Sequence, residues 1–140
     1  MTAADLTSLF LERVVGRDAD ALAELFVEHI DWYVPGHDAI PWTGSRTKRG
    51  DVLAYVRTIW SEVEPGGSSV RVDKVLVDGD DAVVFVNLAH TFRRTQRRFS
   101  GAAAVHFAAS GDKLVKMHLY EDTEAVATPS STVPRLPPEH

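Results

Sequence analysis

A single histidine stands out among the residues that could do chemistry, because the sequence around it is otherwise apolar. His90 lies in a stretch from residue 82 to 92 that is rich in the β-branched and aromatic residues typical of a strand. Side chains alternate across a strand, so if Leu88 and Phe92 face the interior, His90 faces it too. An apolar cavity disfavours the charged imidazole, so His90 would be a neutral general base near pH 7. The equally weighted alternative is a core histidine bonded to a neighbouring carbonyl or hydroxyl.

The same alternation selects further inward side chains on two later strands. These are Val105, Phe107, Met117, Leu119 and Glu121. We expect the first four to shape a pocket for substrate. Glu121 would lie near the pocket mouth, where it could orient His90 or act as an acid. A solvated strand end is the favoured alternative for Glu121.

The densest group of aromatic and ionisable side chains lies between residues 31 and 42. Its members are Asp31, Trp32, Tyr33, His37, Asp38 and Trp42. Trp32 and Val34 would point inward, and Trp32 with Trp42 could form an aromatic wall for a flat ligand. Tyr33 or His37 could then donate a hydrogen bond at the rim, with Tyr33 polarising the substrate. The slightly favoured alternative makes Trp32 a core residue and His37-Asp38 a loop turn.

A metal site built from His37, Asp38 and His90 is conceivable, but no ligand spacing supports it. We therefore predict neither a metal nor a cofactor. Arg93, Arg94, Arg97 and Arg98 flank a predicted hairpin tip and could grip an anion, although a solvated hairpin is the favoured interpretation.

Three predicted helices and a run of strands must position these side chains. Apolar spacing predicts helices over 6–14, 18–27 and 51–64, with Thr2 capping the first and Pro65-Gly66-Gly67 stopping the third. A short strand is expected over 31–34. From Val70 the apolar positions alternate, and turns at 78–79, 95–96 and 110–112 divide an antiparallel meander. This order predicts an α+β fold.

Composition excludes several classes of function. The 140 residues carry 20 acidic and 15 basic side chains, a formal charge of −5, and no cysteine. Thiol chemistry is thereby excluded, and the acidic balance argues against a nucleic-acid partner. No membrane span or secretory leader is evident, so we predict a soluble cytoplasmic protein. We divide the chain into one domain over 1–126 and a flexible tail over 127–140, which holds four of the seven prolines.

Three local patterns resemble the SnoaL-like and ketosteroid-isomerase-like members of the nuclear transport factor 2 superfamily. The patterns are Trp32-Tyr33-Val34-Pro35-Gly36 with Ile40-Pro41-Trp42-Thr43-Gly44, then Val105-His106-Phe107, and finally Leu119-Tyr120-Glu121-Asp122-Thr123. The resemblance covers roughly residues 5 to 125 and implies a cone-shaped fold, with about three N-terminal helices packed in a strongly curved antiparallel sheet. It also implies a homodimer through the outer sheet face, where His106, Lys116, His118 and Tyr120 would lie.

The catalytic groups of ketosteroid isomerases are missing from the matching positions. The base would fall at Val34, the first-helix tyrosine at Phe10 and the protonated carboxyl at about Val105. Steroid isomerisation by that machinery is therefore not expected. The resemblance implies a cofactor-independent isomerase, cyclase or lyase acting by acid-base chemistry on a hydrophobic cyclic carbonyl compound. Two alternatives stay open: a non-catalytic small-ligand-binding or accessory protein, and an interaction domain with a filled cone.

Overall fold

The chain forms three helices and six strands in a computed structural model that describes residues 1–36 and 43–121. The helices are α1 (Ala3–Val15), α2 (Ala19–Ala23) and α3 (Arg49–Glu62). The strands are β1 (Phe26–Val34), β2 (Gly44–Lys48), β3 (Val63–Asp78), β4 (Asp81–Phe92), β5 (Arg98–Ser110) and β6 (Lys113–Glu121). This content confirms the α+β class. Only α1 and α2 precede the first strand, since α3 follows β2.

Helix α1 begins where the sequence predicts. The Thr2 hydroxyl accepts a hydrogen bond from the Asp5 amide at 3.1 Å, and the Asp5 carboxylate accepts one from the Thr2 amide at 2.9 Å. This reciprocal pair satisfies two amides that the first turn leaves without partners. The helix buries Leu6 and Phe10 against the sheet.

Helix α2 is much shorter than the 18–27 helix expected from its apolar spacing. Asp18 caps it as expected, but β1 already begins at Phe26. The Leu25 carbonyl accepts a hydrogen bond from the Leu114 amide at 2.7 Å, and Phe26 pairs with Leu114. Pairing with β6 therefore takes Leu25 and Phe26 out of the helix, a contact that local spacing cannot reveal.

Helix α3 ends earlier than the sequence suggests. It runs directly into β3 at Val63, so the chain leaves the helix before Pro65. At the other end the Asp51 carboxylate accepts a hydrogen bond from the Lys48 amide at 3.1 Å, which caps the first turn.

The strands form one sheet in the order β2-β1-β6-β5-β4-β3. The hairpins β3–β4, β4–β5 and β5–β6 make the predicted antiparallel meander, and Gly79 takes the positive φ of 60° that the first turn needs. The expectation of a wholly antiparallel sheet is wrong, because β1 pairs with β6 in parallel. Strand β1 is also longer than the predicted 31–34 segment, and β2 was not predicted.

Aromatic side chains join α1 to the sheet in the core. The Phe10 ring lies 4.8 Å from Phe107, 6.2 Å from Phe26 and 6.4 Å from Trp32, measured between centroids. Edge-to-face contacts of this kind add to the burial of large apolar surfaces. They hold the helix over the face of the sheet on which the site is built.

Within the described residues, no helix has both the length and the apolar character needed to span a membrane. The predicted tail over 127–140 lies outside the described residues, so the proposed division of the chain stays a prediction.

Candidate functional site

A cavity of about 130 Å³ lies between α1, α3 and one face of the sheet. Eight residues chosen from the sequence line it: Trp32, Leu88, His90, Phe92, Val105, Met117, Leu119 and Glu121. Side-chain alternation accounts for this placement, since Val86, Leu88, His90 and Phe92 occupy every second position of β4. An engineered cavity of similar size, about 150 Å³, admits benzene, so this one suits a ligand group of about one ring.

Three of the predicted site residues lie elsewhere. Val34 and Phe107 are fully buried core residues that do not line the cavity, and Phe107 packs on Phe10 instead. Tyr33 is 41% exposed and its ring contacts His118, with 6.0 Å between centroids, on the opposite face of the sheet from Trp32. The geometry therefore does not bring Tyr33 to the cavity as a hydrogen-bond donor. His37, Asp38 and Trp42 lie outside the described residues.

His90 is partly buried and is held by Ser68 on the neighbouring strand. The two residues pair across β3 and β4, and the Ser68 Oγ lies 3.0 Å from His90 Nδ1. The imidazole stacks with Phe99 at 6.4 Å between centroids. Burial, with a smaller contribution from the positive charges of Arg17 and Arg98, lowers the pKa of His90 to about 4. The ring is therefore neutral throughout the physiological pH range.

The hydrogen bond to Ser68 decides what the other nitrogen of His90 can do. If Nδ1 carries the proton and donates it to the serine oxygen, Nε2 keeps a free lone pair and can accept a proton. If the serine hydroxyl donates to Nδ1, Nε2 carries the hydrogen and can donate to a carbonyl oxygen. Both tautomers present a useful group, one as a base and the other as a hydrogen-bond donor.

Glu121 acts electrostatically on a tyrosine of the cavity wall. Tyr55 of α3 lines the cavity, and burial raises the pKa of its hydroxyl. The negative charge of Glu121 raises that pKa further, while Arg46, stacked 5.6 Å above the tyrosine ring, opposes the increase. Tyr55 therefore stays a protonated hydrogen-bond donor. The partner found for His90 is Ser68, so the suggested orienting role of Glu121 is not supported by this geometry.

Trp32 supplies a second donor on the same side of the cavity. It is only 1% exposed, and its ring meets Tyr55 edge-on at 4.8 Å between centroids. Its indole Nε1 is buried, and no described residue accepts a hydrogen bond from it. A buried donor without a partner costs free energy unless a ligand or water satisfies it.

The polar groups thus reach the cavity from two sides, with apolar side chains between them. His90 and Ser68 come from β4 and β3, whereas Trp32, Tyr55 and Glu121 come from β1, α3 and β6. In the sheet, β6 and β5 separate β1 from β4. A ligand filling the cavity would therefore lie between a neutral imidazole and the part of the wall formed by Tyr55 and Trp32. No group of three or more His, Asp or Glu residues in the described ranges is arranged to hold a metal.

Sequence reasoning missed the residues that α1, α3 and β3 contribute, together with one residue of β4. The missed lining residues are Phe10, Leu11, Val14, Tyr55, Val56, Ile59, Trp60, Val63, Ser68, Val70 and Val86. Helical spacing could have found Tyr55, which lies one turn from Ile59 on the inner face of α3. No local signal identifies Ser68, because its role follows from the register of β3 on β4.

The outer face of the sheet carries two histidines, both of which the sequence analysis places on that face. His106 and His118 lie directly opposite each other on β5 and β6. Each contacts an exposed carboxylate: Asp81 lies 2.8 Å from His106 Nε2, and Asp31 lies 2.7 Å from His118 Nε2. Homodimerisation through this face stays a prediction.

Comparison with known proteins identifies the class of fold and then the family. A nuclear transport factor 2-like protein from Burkholderia xenovorans LB400 is 18% identical, covers 92% of this chain and 95% of its own, and superimposes with a TM-score of 0.77. Residues 8–117 match the family model described as the SnoaL-like domain. The chain therefore belongs to the SnoaL-like family, as its sequence motifs predicted, and it shares the fold of nuclear transport factor 2-like proteins.

Two further solved structures share the fold. A protein with a ketosteroid-isomerase-like fold from Catenulispora acidiphila DSM 44928, solved with trimethylamine, is 15% identical with a TM-score of 0.76, covering 93% of this chain and 94% of that one. A provisionally named polyketide cyclase from Pseudomonas putida KT2440 is 12% identical with a TM-score of 0.71, covering 90% and 96%. No curated protein matches the sequence significantly. At these identities the likeness establishes the fold alone.

Proposed function

We propose that this protein is a cofactor-independent enzyme that moves a proton on a hydrophobic cyclic carbonyl compound held in the cavity. The observation that carries the proposal is a neutral imidazole facing a largely apolar cavity whose wall also includes Tyr55 and Trp32. Family membership is in keeping with an enzymatic role. The cone-shaped curvature of the sheet belongs to the same proposal, and it is supported by the way α1, α3 and five strands line one cavity.

His90 Nε2 would remove a proton from the carbon next to the substrate carbonyl. The C–H electron pair then forms the enolate, whose oxygen accepts hydrogen bonds from the Tyr55 hydroxyl and the Trp32 indole. In an unsaturated substrate, return of the proton from His90 to the far carbon of the conjugated enolate gives an isomer. Attack of the enolate carbon on a second carbonyl closes a ring, and the alkoxide formed from that carbonyl takes the proton from His90. A base with a pKa of about 4 to 5 is adequate where preorganised donors stabilise the enolate.

The test measures proton removal directly and does not require the natural product. A one-ring or two-ring ketone such as 2-cyclohexenone or 2-tetralone is incubated with the protein in D₂O, and loss of the α-proton signals is followed by ¹H NMR. We expect His90→Gln to reduce exchange to the buffer rate. Tyr55→Phe should reduce it by about 10²-fold, the usual effect of removing one enolate-stabilising donor.

His106→Gln is the matched control, because it makes the same change on the outer face of the sheet. It should exchange protons at the wild-type rate. Exchange by His90→Gln at the wild-type rate would exclude His90 as the base. Wild-type protein that exchanges no faster than buffer would exclude the enzyme altogether.

A non-catalytic ligand-binding protein is the second candidate, and the low pKa of His90 favours it. A histidine with a pKa of about 4 binds a proton weakly, so its main contribution could be a hydrogen bond to a ligand. This candidate predicts ligand binding without α-proton exchange, and the same experiment separates the two.

A further inference from the structure

Arg17 occupies a backbone position that normally belongs to glycine. After α1, the Arg17 amide donates to the Val14 carbonyl and the Asp18 amide donates to the Arg13 carbonyl, both at 3.1 Å. This pair of bonds defines a Schellman termination, in which the residue at position 17 is left-handed. Arg17 has a φ of 52°, while the glycine of this turn is one residue earlier. Position 17 therefore carries a bulky side chain on a left-handed backbone, which is unfavourable for any residue other than glycine.

The Arg17 side chain reaches the wall of the cavity. Its guanidinium carbon lies 6.0 Å from the centroid of the Trp60 ring, and Trp60 lines the cavity. Its positive charge also acts on His90, which lines the cavity from the sheet side. The guanidinium therefore adjoins the cavity wall at Trp60, although Arg17 is not itself among the residues that line the cavity.

One nitrogen of this guanidinium has no partner. Arg17 Nη2 is buried, and within residues 1–36 and 43–121 nothing accepts a hydrogen bond from it. A guanidinium cannot lose its charge at any relevant pH, so a buried N–H without an acceptor is costly. Its best complement is a carboxylate, whose two oxygens match the planar fork of the arginine.

We propose that Arg17 binds the carboxylate of a ligand whose ring occupies the cavity. The inference rests on the proposed function only in placing the ring in the same cavity, and it does not require turnover. It narrows the substrate to an acidic ring compound. A carboxylate bound at Arg17 would also offset part of the positive charge that lowers the pKa of His90, so the ligand would make the imidazole a stronger base.

The test compares two probes that differ only in charge, benzoate and benzamide. Binding is followed by ¹⁵N NMR at the indole signals of Trp32 and Trp60, two residues that line the cavity. We expect wild-type protein to bind benzoate about tenfold more tightly than benzamide, the size of one charge-assisted contact. Arg17→Gln should remove the preference and leave benzamide binding within about threefold.

Two further variants make the result independent of folding effects. Arg17→Gly removes the guanidinium with the whole side chain, and glycine suits the left-handed backbone. This variant should therefore lose the preference for benzoate over benzamide in the same way as Arg17→Gln. Arg57→Gln removes a charge from an exposed arginine of α3 that faces Asp20, and it should keep the preference.

Each outcome bears on the inference separately from the enzyme proposal. Equal binding of the two probes by wild-type protein, binding of neither, or a benzoate preference that survives in Arg17→Gln would each overturn the inference. A preference lost only in the Arg17 variants supports it, even if no ketone exchanges its protons, in which case only the enzyme proposal fails.

Discussion

Replacing His90 should change how the stability of the protein depends on pH. Burial keeps His90 neutral in the folded state with a pKa of about 4, whereas the unfolded chain exposes it with an ordinary value near 6.5. Between these two values the unfolded state binds a proton that the folded state does not. Stability contributed by the neutral ring is therefore complete above pH 6.5 and is lost as the pH falls towards 4.

The size of the effect follows from the difference between the two pKa values. At about pH 5 the unfolded histidine is almost fully protonated and the folded one is almost fully neutral. The linkage relation then gives a loss of roughly 2 kcal/mol in the free energy of unfolding between about pH 7.5 and pH 5. Partial exposure of the ring makes this figure an upper value.

Urea unfolding of wild-type protein and His90→Gln at the two pH values measures the effect. Glutamine keeps a polar group beside Ser68 but does not titrate, so the other acids and histidines cancel in the difference. We expect the wild-type protein to lose more stability than the variant, by at most about 2 kcal/mol, with unchanged dependence on urea concentration.

The same quantity can be observed at the ring itself. The His90 Cε1 proton should titrate with a midpoint near pH 4 in an NMR pH series. Equal losses of stability in the two proteins, or a midpoint near 6.5, would show that the ring is not held neutral by burial, and the chemistry assigned to it would then fail.

Two stability predictions address the helix end and the core. Arg17→Gly should be about 1 kcal/mol more stable than Arg17→Ala by urea unfolding, because both delete the side chain but only glycine suits a φ of 52°; equal stability would contradict the left-handed assignment. Phe107→Ala should lower the free energy of unfolding by about 4 kcal/mol, since Phe107 is fully buried against Phe10 and its truncation leaves a new void. Leu88→Ala should lower it by less, because this substitution enlarges a cavity that already exists. Equal losses of stability in the two variants would contradict the placement of Leu88 in the cavity wall.

Strand alternation carried most of the site prediction, because one inward residue determines its neighbours on the same strand. Placing Phe92 inward was enough to place His90 and Leu88 correctly. Tyr33 follows the same rule, since it alternates with the inward residues Trp32 and Val34 and the structure leaves it exposed on the other face. Alternation within one strand does not predict which residues lie opposite each other on neighbouring strands. Ser68 was missed for this reason, because its position opposite His90 depends on the register of β3 on β4.

The segment around Phe26 shows why the fold was only partly predictable. Ala19, Leu22, Leu25 and Phe26 have the spacing of a helix face, and nothing nearby opposes that interpretation. The strand conformation of Phe26 instead comes from Leu114, which is distant in sequence. Helix α1 was predictable because Thr2 and Asp5 determine its start by contacts within one turn.

The parallel pairing of β1 with β6 has a consequence for how the protein is made. Strand β1 leaves the ribosome early, but β6, with which it pairs in parallel, is not available until Lys113–Glu121 has been synthesised. Until then the wall between Trp32 and Met117 is open, and the apolar surfaces of α1 and β1 are exposed to other proteins in the cell. A pause in translation before β6 would therefore prolong the dependence of the nascent chain on chaperones, and faster synthesis of that segment would shorten it.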